Sequence, residues 1–191
     1  MALDQPKIYF FDKVFQVTIL RLIPDKIKPN HLTVVRFLMT PFVVYFLWLG
    51  NHWLGLILFL IAALTDALDG AMARTRNQIT EWGKMYDPLA DKLLICSVVF
   101  ILLLRYVDLY VAWIIIIIEA VIIIAAVLKK KKGQQMQSNF WGKMKMILQV
   151  AGVVFMLLAI VFSFDAFVPI GRNVLYLSIG FAIISLFTYS A

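Results

Sequence analysis

The chain has little of what a water-soluble protein needs. Only 15% of its 191 residues are charged, and just 11 are acidic. Hydrophobic residues make up 63%, against roughly 45–50% in an ordinary globular protein, and mean hydropathy is +0.91. A soluble fold of this length could not hide so much apolar surface, because folded proteins keep a large wet exterior. The single cysteine, Cys96, cannot form an internal bridge, which excludes a disulfide-stapled secreted scaffold. No internal repeat and no separate soluble domain is visible. Soluble enzymes and DNA-binding modules are excluded with them, and the net charge of +7 points to a membrane partner, not to nucleic acid.

What the chain does have is a series of apolar stretches about 20 residues long, the length that crosses a bilayer's hydrocarbon core. Six spans are expected, near residues 32–49, 54–73, 88–104, 107–128, 144–162 and 170–189. A barrel strand would alternate apolar and polar residues; the isoleucine run 114–118 does not, so the spans are helices. All but Arg105 and Arg172 of the 18 basic residues fall on or near one side of these spans. The positive-inside rule places that side, and both termini, in the cytoplasm, which implies the inner membrane. Residues 8–23 predict an amphipathic helix lying in the interface, with Lys13, Gln16 and Arg21 toward headgroups and the aromatics toward the acyl boundary. The expectation is therefore an all-α integral membrane protein of one domain. Residues 1–29 form its interfacial segment, and residues 30–191 a bundle of six transmembrane helices.

An acid inside a membrane is expensive, so it marks function by default. Asp66 and Asp69 are three apart on the second span and share a face, and Asp87 and Asp91 are four apart at the start of the third. A short connection makes these helices antiparallel neighbours, so both pairs can face each other near the cytoplasmic ends. Carboxylates that close repel, and two divalent cations would neutralise them; oxygen-only ligands suit Mg²⁺ or Mn²⁺. Gly70 and Ala73 leave room on the same side, and Arg74 lies one turn beyond Gly70, placed for a phosphate.

The spacing Asp66-x2-Asp69-Gly70-x2-Ala73-Arg74-x8-Gly83-x3-Asp87-x3-Asp91 matches, at every fixed position, the signature of CDP-alcohol phosphotransferases. Six helices behind an interfacial helix are also that family's architecture. Three further pieces resemble phosphatidylglycerophosphate synthases: Pro29-Asn30-x2-Thr33-x2-Arg36, Gly83-Lys84-x2-Asp87-Pro88-x-Ala90-Asp91-Lys92, and Trp141-Gly142-Lys143-x-Lys145. The resemblance implies transfer of a phosphatidyl group from CDP-diacylglycerol to an alcohol with release of CMP, the acceptor being sn-glycerol 3-phosphate, by a two-metal mechanism. It implies Asp66, Asp69, Asp87 and Asp91 as metal ligands, with Asp91 also taking the acceptor's proton. Pro29, Asn30, Thr33, Gly70, Arg74 and Thr80 contact the CDP-diacylglycerol nucleotide by the same resemblance, and similar enzymes are homodimers. Arg36, Lys92, Lys143 and Lys145 are cationic candidates for the acceptor phosphate. One departure stands out: similar synthases carry Arg-Glu in the fourth span, where this chain has Ile118-Glu119.

Other readings stand beside these. The acids could serve a cation or proton transporter, or a prenyltransferase, and the acceptor could be serine, inositol or inositol phosphate. Arg74 could simply snorkel to the headgroups. The lysine run 129–132 reads as a topology anchor against anionic lipid. Glu119 either bonds a neighbouring helix or organises acceptor residues, while His31 and Cys96 read as ordinary interfacial and packing residues.

Overall fold

A computed structural model of the chain describes residues 10–24, 26–106, 109–131 and 140–190. Among these residues the regular structure is entirely helical: α1 (Phe10–Val17), α2 (Pro29–Trp48), α3 (His52–Thr75), α4 (Glu81–Tyr106), α5 (Leu109–Lys131), α6 (Phe140–Val161), a 3₁₀ turn (Asp165–Phe167) and α7 (Val168–Ser190). Among the described residues, four stretches are long and apolar enough to cross a membrane: Pro29–Trp48, His52–Thr75, Phe140–Val161 and Asp165–Leu186. Helix α4 has the length, at 26 residues, but carries Asp87, Asp91, Lys92 and Arg105. The apolar part of α5 described here, Leu109–Ala125, is shorter. The side chains of the lysine run 129–132 lie outside the described residues, as do Tyr9 and Lys132 altogether.

The described residues form two compact units, one from Met1–Tyr45 with Ile57–Leu94, the other from Phe46–Leu56 with Ile95–Ala191. In the first unit, helix α1 stops at Val17, well before residue 23. The amides of Ile19 and Leu20 both turn to the Phe15 carbonyl, and the Leu20 and Ile23 carbonyls are taken by the Arg76 side chain at 3.0 and 2.8 Å. Pro24 has no N–H to offer the Leu20 carbonyl, and the arginine supplies donors there and at Ile23. Leu20 joins Leu68, Ala71 and Met72 in a buried cluster, with Phe15, Ile19, Ile23 and Leu32 packed around it. This seats the N-terminal segment on the end of α3. Helix α3 ends at Thr75, and just beyond it Asn77, at φ 52°, is the left-handed cap that lets the Gln78 amide reach back to the Ala73 carbonyl.

The second unit shows the same device twice. Gly50, at φ 80°, closes α2 with Asn51 N–H on the Phe46 carbonyl, and the Asn51 side chain then accepts from Leu54 N–H to start α3. Ser163, at φ 56°, closes α6 with Phe164 N–H on the Ala159 carbonyl. Helices α6 and α7 pack through glycines: a Cβ on Gly171 would stand 3.0 Å from the Met156 backbone nitrogen, and one on Gly152 would stand 2.7 Å from Leu175 Cδ2. Close backbone approach through small residues is how apolar helices associate where lipid competes for every greasy surface.

Candidate active site

Every acid of the motif lies in the first unit. Helix α2 presents Asn30, Thr33 and Arg36 at roughly helical spacing, α3 presents Asp66, Asp69, Gly70 and Arg74, and α4 presents Gly83, Asp87 and Asp91. Arg36 is fully buried and joins two of these helices. Its Nη1 stands 2.8 Å from Asp66 Oδ1, its Nη2 donates to Asp69 Oδ2 at 2.5 Å, and its Nε donates to Thr65 Oγ1 at 3.4 Å. The two acids differ in access: the Asp66 side chain is 40% exposed, the Asp69 side chain 3%. Thr33, also buried, donates its hydroxyl to Asp87 Oδ1 at 2.5 Å. Asp91 is buried one turn further along α4.

The start of α4 is fixed by Thr80. Its hydroxyl oxygen accepts from Gly83 N–H at 2.9 Å, as an N-cap does, and its proton goes to Asn30 Oδ1 at 2.8 Å. Gly83 is a glycine for a visible reason. A Cβ there would lie 3.1 Å from both Asp87 Oδ2 and Thr80 Oγ1, and 3.3 Å from Asn30 Oδ1. Of the residues expected at the nucleotide, Asn30 and Thr80 bond each other, Thr33 bonds the motif acid Asp87, and the two pairs meet around Gly83. Pro29 is buried at the head of α2.

Arg74 does not reach into open headgroup space. Its Nε and Nη2 donate to the two oxygens of Asp12 at 2.8 and 2.7 Å, a bidentate fork on α1. Sequence reading passed over Asp12. The available signal was its place three residues before Phe15, one turn apart on the same side of α1. Arg76 was missed too, because a backbone-capping arginine has no pattern.

Two of the residues proposed for the acceptor, Lys143 and Lys145, belong to the second unit. Lys145 is buried and its ammonium pairs with Glu119 at 2.5 Å, where Gln149 also donates at 3.0 Å. Glu119 Oε1 thus accepts from two side chains of α6, one of which is an acceptor candidate, as either of its two readings requires. Lys143 is exposed on α6, beside Met146, Ile147 and Val150. Lys92 is half-buried on α4.

Among the described residues, no three acidic, histidine or cysteine side chains close around one point as a finished metal cage. The donor set still suits a hard divalent cation. Asp66, Asp69 and Asp87 are near enough to repel one another. The Arg36 and Thr33 bonds account for one oxygen of each. Carboxylates have two oxygens with several acceptor directions, so such bonds orient them without using them up.

Residues 26–184 match the family described as CDP-alcohol phosphatidyltransferase. A Bacillus subtilis protein named CDP-diacylglycerol–glycerol-3-phosphate 3-phosphatidyltransferase is 33% identical over 180 residues, 84% of this chain and 92% of its own length. A Rickettsia felis protein of the same name is 44% identical over 82 residues, 41% of this chain; that stretch is 45% of the relative's length. A Drosophila melanogaster protein named probable cardiolipin synthase (CMP-forming) is 40% identical over 87 residues, 45% of this chain and 26% of its own. The match extends over nearly all of the chain, and the chain belongs to the CDP-alcohol phosphatidyltransferase family.

Proposed function

We propose that this protein transfers a phosphatidyl group from CDP-diacylglycerol to sn-glycerol 3-phosphate, releasing CMP and giving phosphatidylglycerophosphate for phospholipid synthesis. Support for the acceptor comes from the Bacillus subtilis relative, whose name states that reaction and whose match covers 92% of its length. The observation that carries the chemistry is the clustering of Asp66, Asp69 and Asp87, tied to α2 by Arg36 and Thr33, in a member of this family.

In this reading Asp66, Asp69, Asp87 and Asp91 would hold two Mg²⁺ or Mn²⁺ ions. When bound, these would offset charge on the pyrophosphate and on the departing CMP. Arg36 and Thr33 hold three of those carboxylates in orientation. Pro29, Asn30, Thr33, Gly70, Arg74 and Thr80 bind the nucleotide of the donor, whose acyl chains stay in lipid. The acceptor's hydroxyl oxygen bonds to the phosphatidyl phosphorus, the bond from that phosphorus to the CMP oxygen breaks, and Asp91 receives the hydroxyl proton. Lys92 supplies positive charge for the acceptor's phosphate, while the Arg36 guanidinium stays on Asp66 and Asp69. The chain works as one membrane domain of six spans behind an interfacial helix, as a homodimer, with termini and site on the cytoplasmic side of the inner membrane. The bias of basic residues supports that orientation.

The test is an acceptor screen on purified protein in lipid vesicles with CDP-diacylglycerol and Mg²⁺. Glycerol 3-phosphate, serine, inositol, inositol phosphate and phosphatidylglycerol are compared by CMP release. Release that depends on glycerol 3-phosphate is expected. Release driven by another acceptor overturns the acceptor assignment, and proton flux without CMP overturns the enzyme reading.

A further inference from the structure

We infer that Asp12 is a positioning residue for Arg74, so that the N-terminal helix sets the arginine that meets the donor nucleotide. The inference rests on the proposed nucleotide contact of Arg74. A long cation in the last turn of a membrane helix ordinarily extends toward headgroups. Arg74 instead folds across its own helix and gives its Nε–Nη2 edge to Asp12, whose side chain is 3% exposed while that of Arg74 is 32% exposed. The guanidinium consequently lies over Gly70, where a Cβ would stand 3.2 Å from Nη1 and 3.4 Å from Nη2. Asp66, Gly70 and Arg74 follow one another at i, i+4 and i+8, so this places the guanidinium on the stripe that carries the half-open Asp66.

Asp12 can play this part because its own place is secured independently. Leu20 is buried against Leu68, Ala71 and Met72, and Arg76 grips the Leu20 and Ile23 carbonyls. The segment from α1 to residue 23 is thereby fastened to α3 at contacts that do not involve Arg74. A planar fork on a carboxylate fixes the direction of a guanidinium as well as its distance, which a single lysine-type contact would not do. An interfacial helix would thus contribute to donor recognition through a side chain that touches neither substrate.

The test is a kinetic comparison of full-length wild type, Asp12→Asn, Arg74→Ala and the double variant in vesicles. For Asp12→Asn, the KM for CDP-diacylglycerol is expected to rise roughly tenfold, the scale of one charged hydrogen bond. The KM for glycerol 3-phosphate is expected to stay near wild type. In the Arg74→Ala background the Asp12 change should add nothing, because its effect passes through the arginine. Equal shifts in both KM values, or an additive double variant, would overturn the inference by marking Asp12 as merely structural. Should Asp12→Asn fail to fold, Asp12→Glu carries the test. Its extra methylene displaces the fork, so a raised donor KM is expected, and a wild-type donor KM overturns the inference. A wild type that releases no CMP from CDP-diacylglycerol would instead sink the underlying functional reading.

Discussion

Arg36 donates to Asp69 at 2.5 Å while its other terminal nitrogen stands 2.8 Å from Asp66, from a side chain with no solvent exposure. One guanidinium therefore serves two carboxylates, and Asp87 lies near enough to repel both. One guanidinium bonded to two of three acids leaves negative charge among them, and that excess is what a divalent ion would meet. Replacing Arg36 with Met removes the cation bonded to both acids and strips buried Asp69 of that partner. Removing one partner of a buried pair costs about 3–5 kcal/mol. Thermal unfolding in detergent should show a clear fall in midpoint. Arg36→Lys should recover part of the stability but little of the turnover, since an ammonium cannot fork across both acids.

Asp69→Asn keeps shape and hydrogen-bonding capacity but removes a charge. The variant should remain folded and lose Mg²⁺-dependent CMP release; full activity would exclude Asp69 as a ligand. Asp91→Asn should depress kcat by about 10²–10⁴, the usual contribution of a general base, with a much smaller effect on donor KM. Unchanged turnover would remove Asp91 as the base.

Gly83→Ala tests the junction of Asn30, Thr80 and Asp87. The added methyl lies 3.1 Å from two oxygens, tighter than carbon ordinarily sits, so Asp87 or the Thr80 cap must shift. Turnover is expected to fall on the order of tenfold, because small displacements of reacting groups are costly. Gly180→Ala is the control: no neighbouring atom lies within 4 Å of the added carbon, and activity should match wild type.

The buried pair of Lys145 and Glu119 offers a separable test. Lys145→Met alone should lower stability by about 3–5 kcal/mol, since it strands a buried carboxylate. Combining it with Glu119→Gln should restore most of the loss. If Lys145 also serves the acceptor, the repaired double variant stays folded but keeps a raised KM for glycerol 3-phosphate, measured by CMP release. A wild-type KM in that variant would confine Lys145 to helix packing.

Much of this was legible in the sequence because lipid makes the code simple. Apolar runs long enough to span fixed α2, α3, α6 and α7 to within a few residues. Acids too costly to bury idly picked out Asp66, Asp69, Asp87 and Asp91. Two kinds of feature were not legible. Helix α1 was expected through residue 23 but ends at Val17, where the Ile19 and Leu20 amides both turn to the Phe15 carbonyl, and the chain beyond it is held by Arg76, more than fifty residues away in sequence, through the Leu20 and Ile23 carbonyls. Likewise, Arg36 reads from sequence as a cation for a substrate phosphate, whereas its structural partners are Asp66 and Asp69. Both depend on long-range side-chain pairing, which periodicity does not encode. Asp12 and Arg74 belong to the same class.

Manganese binding tests the account at its centre. Mn²⁺ can be titrated into the purified full-length protein with CDP-diacylglycerol in detergent, and bound metal read by electron paramagnetic resonance. Two ions per chain are predicted for the wild type, with at least one lost in Asp69→Asn. A wild type that binds none, or a stoichiometry indifferent to Asp69, would contradict the assignment of these aspartates.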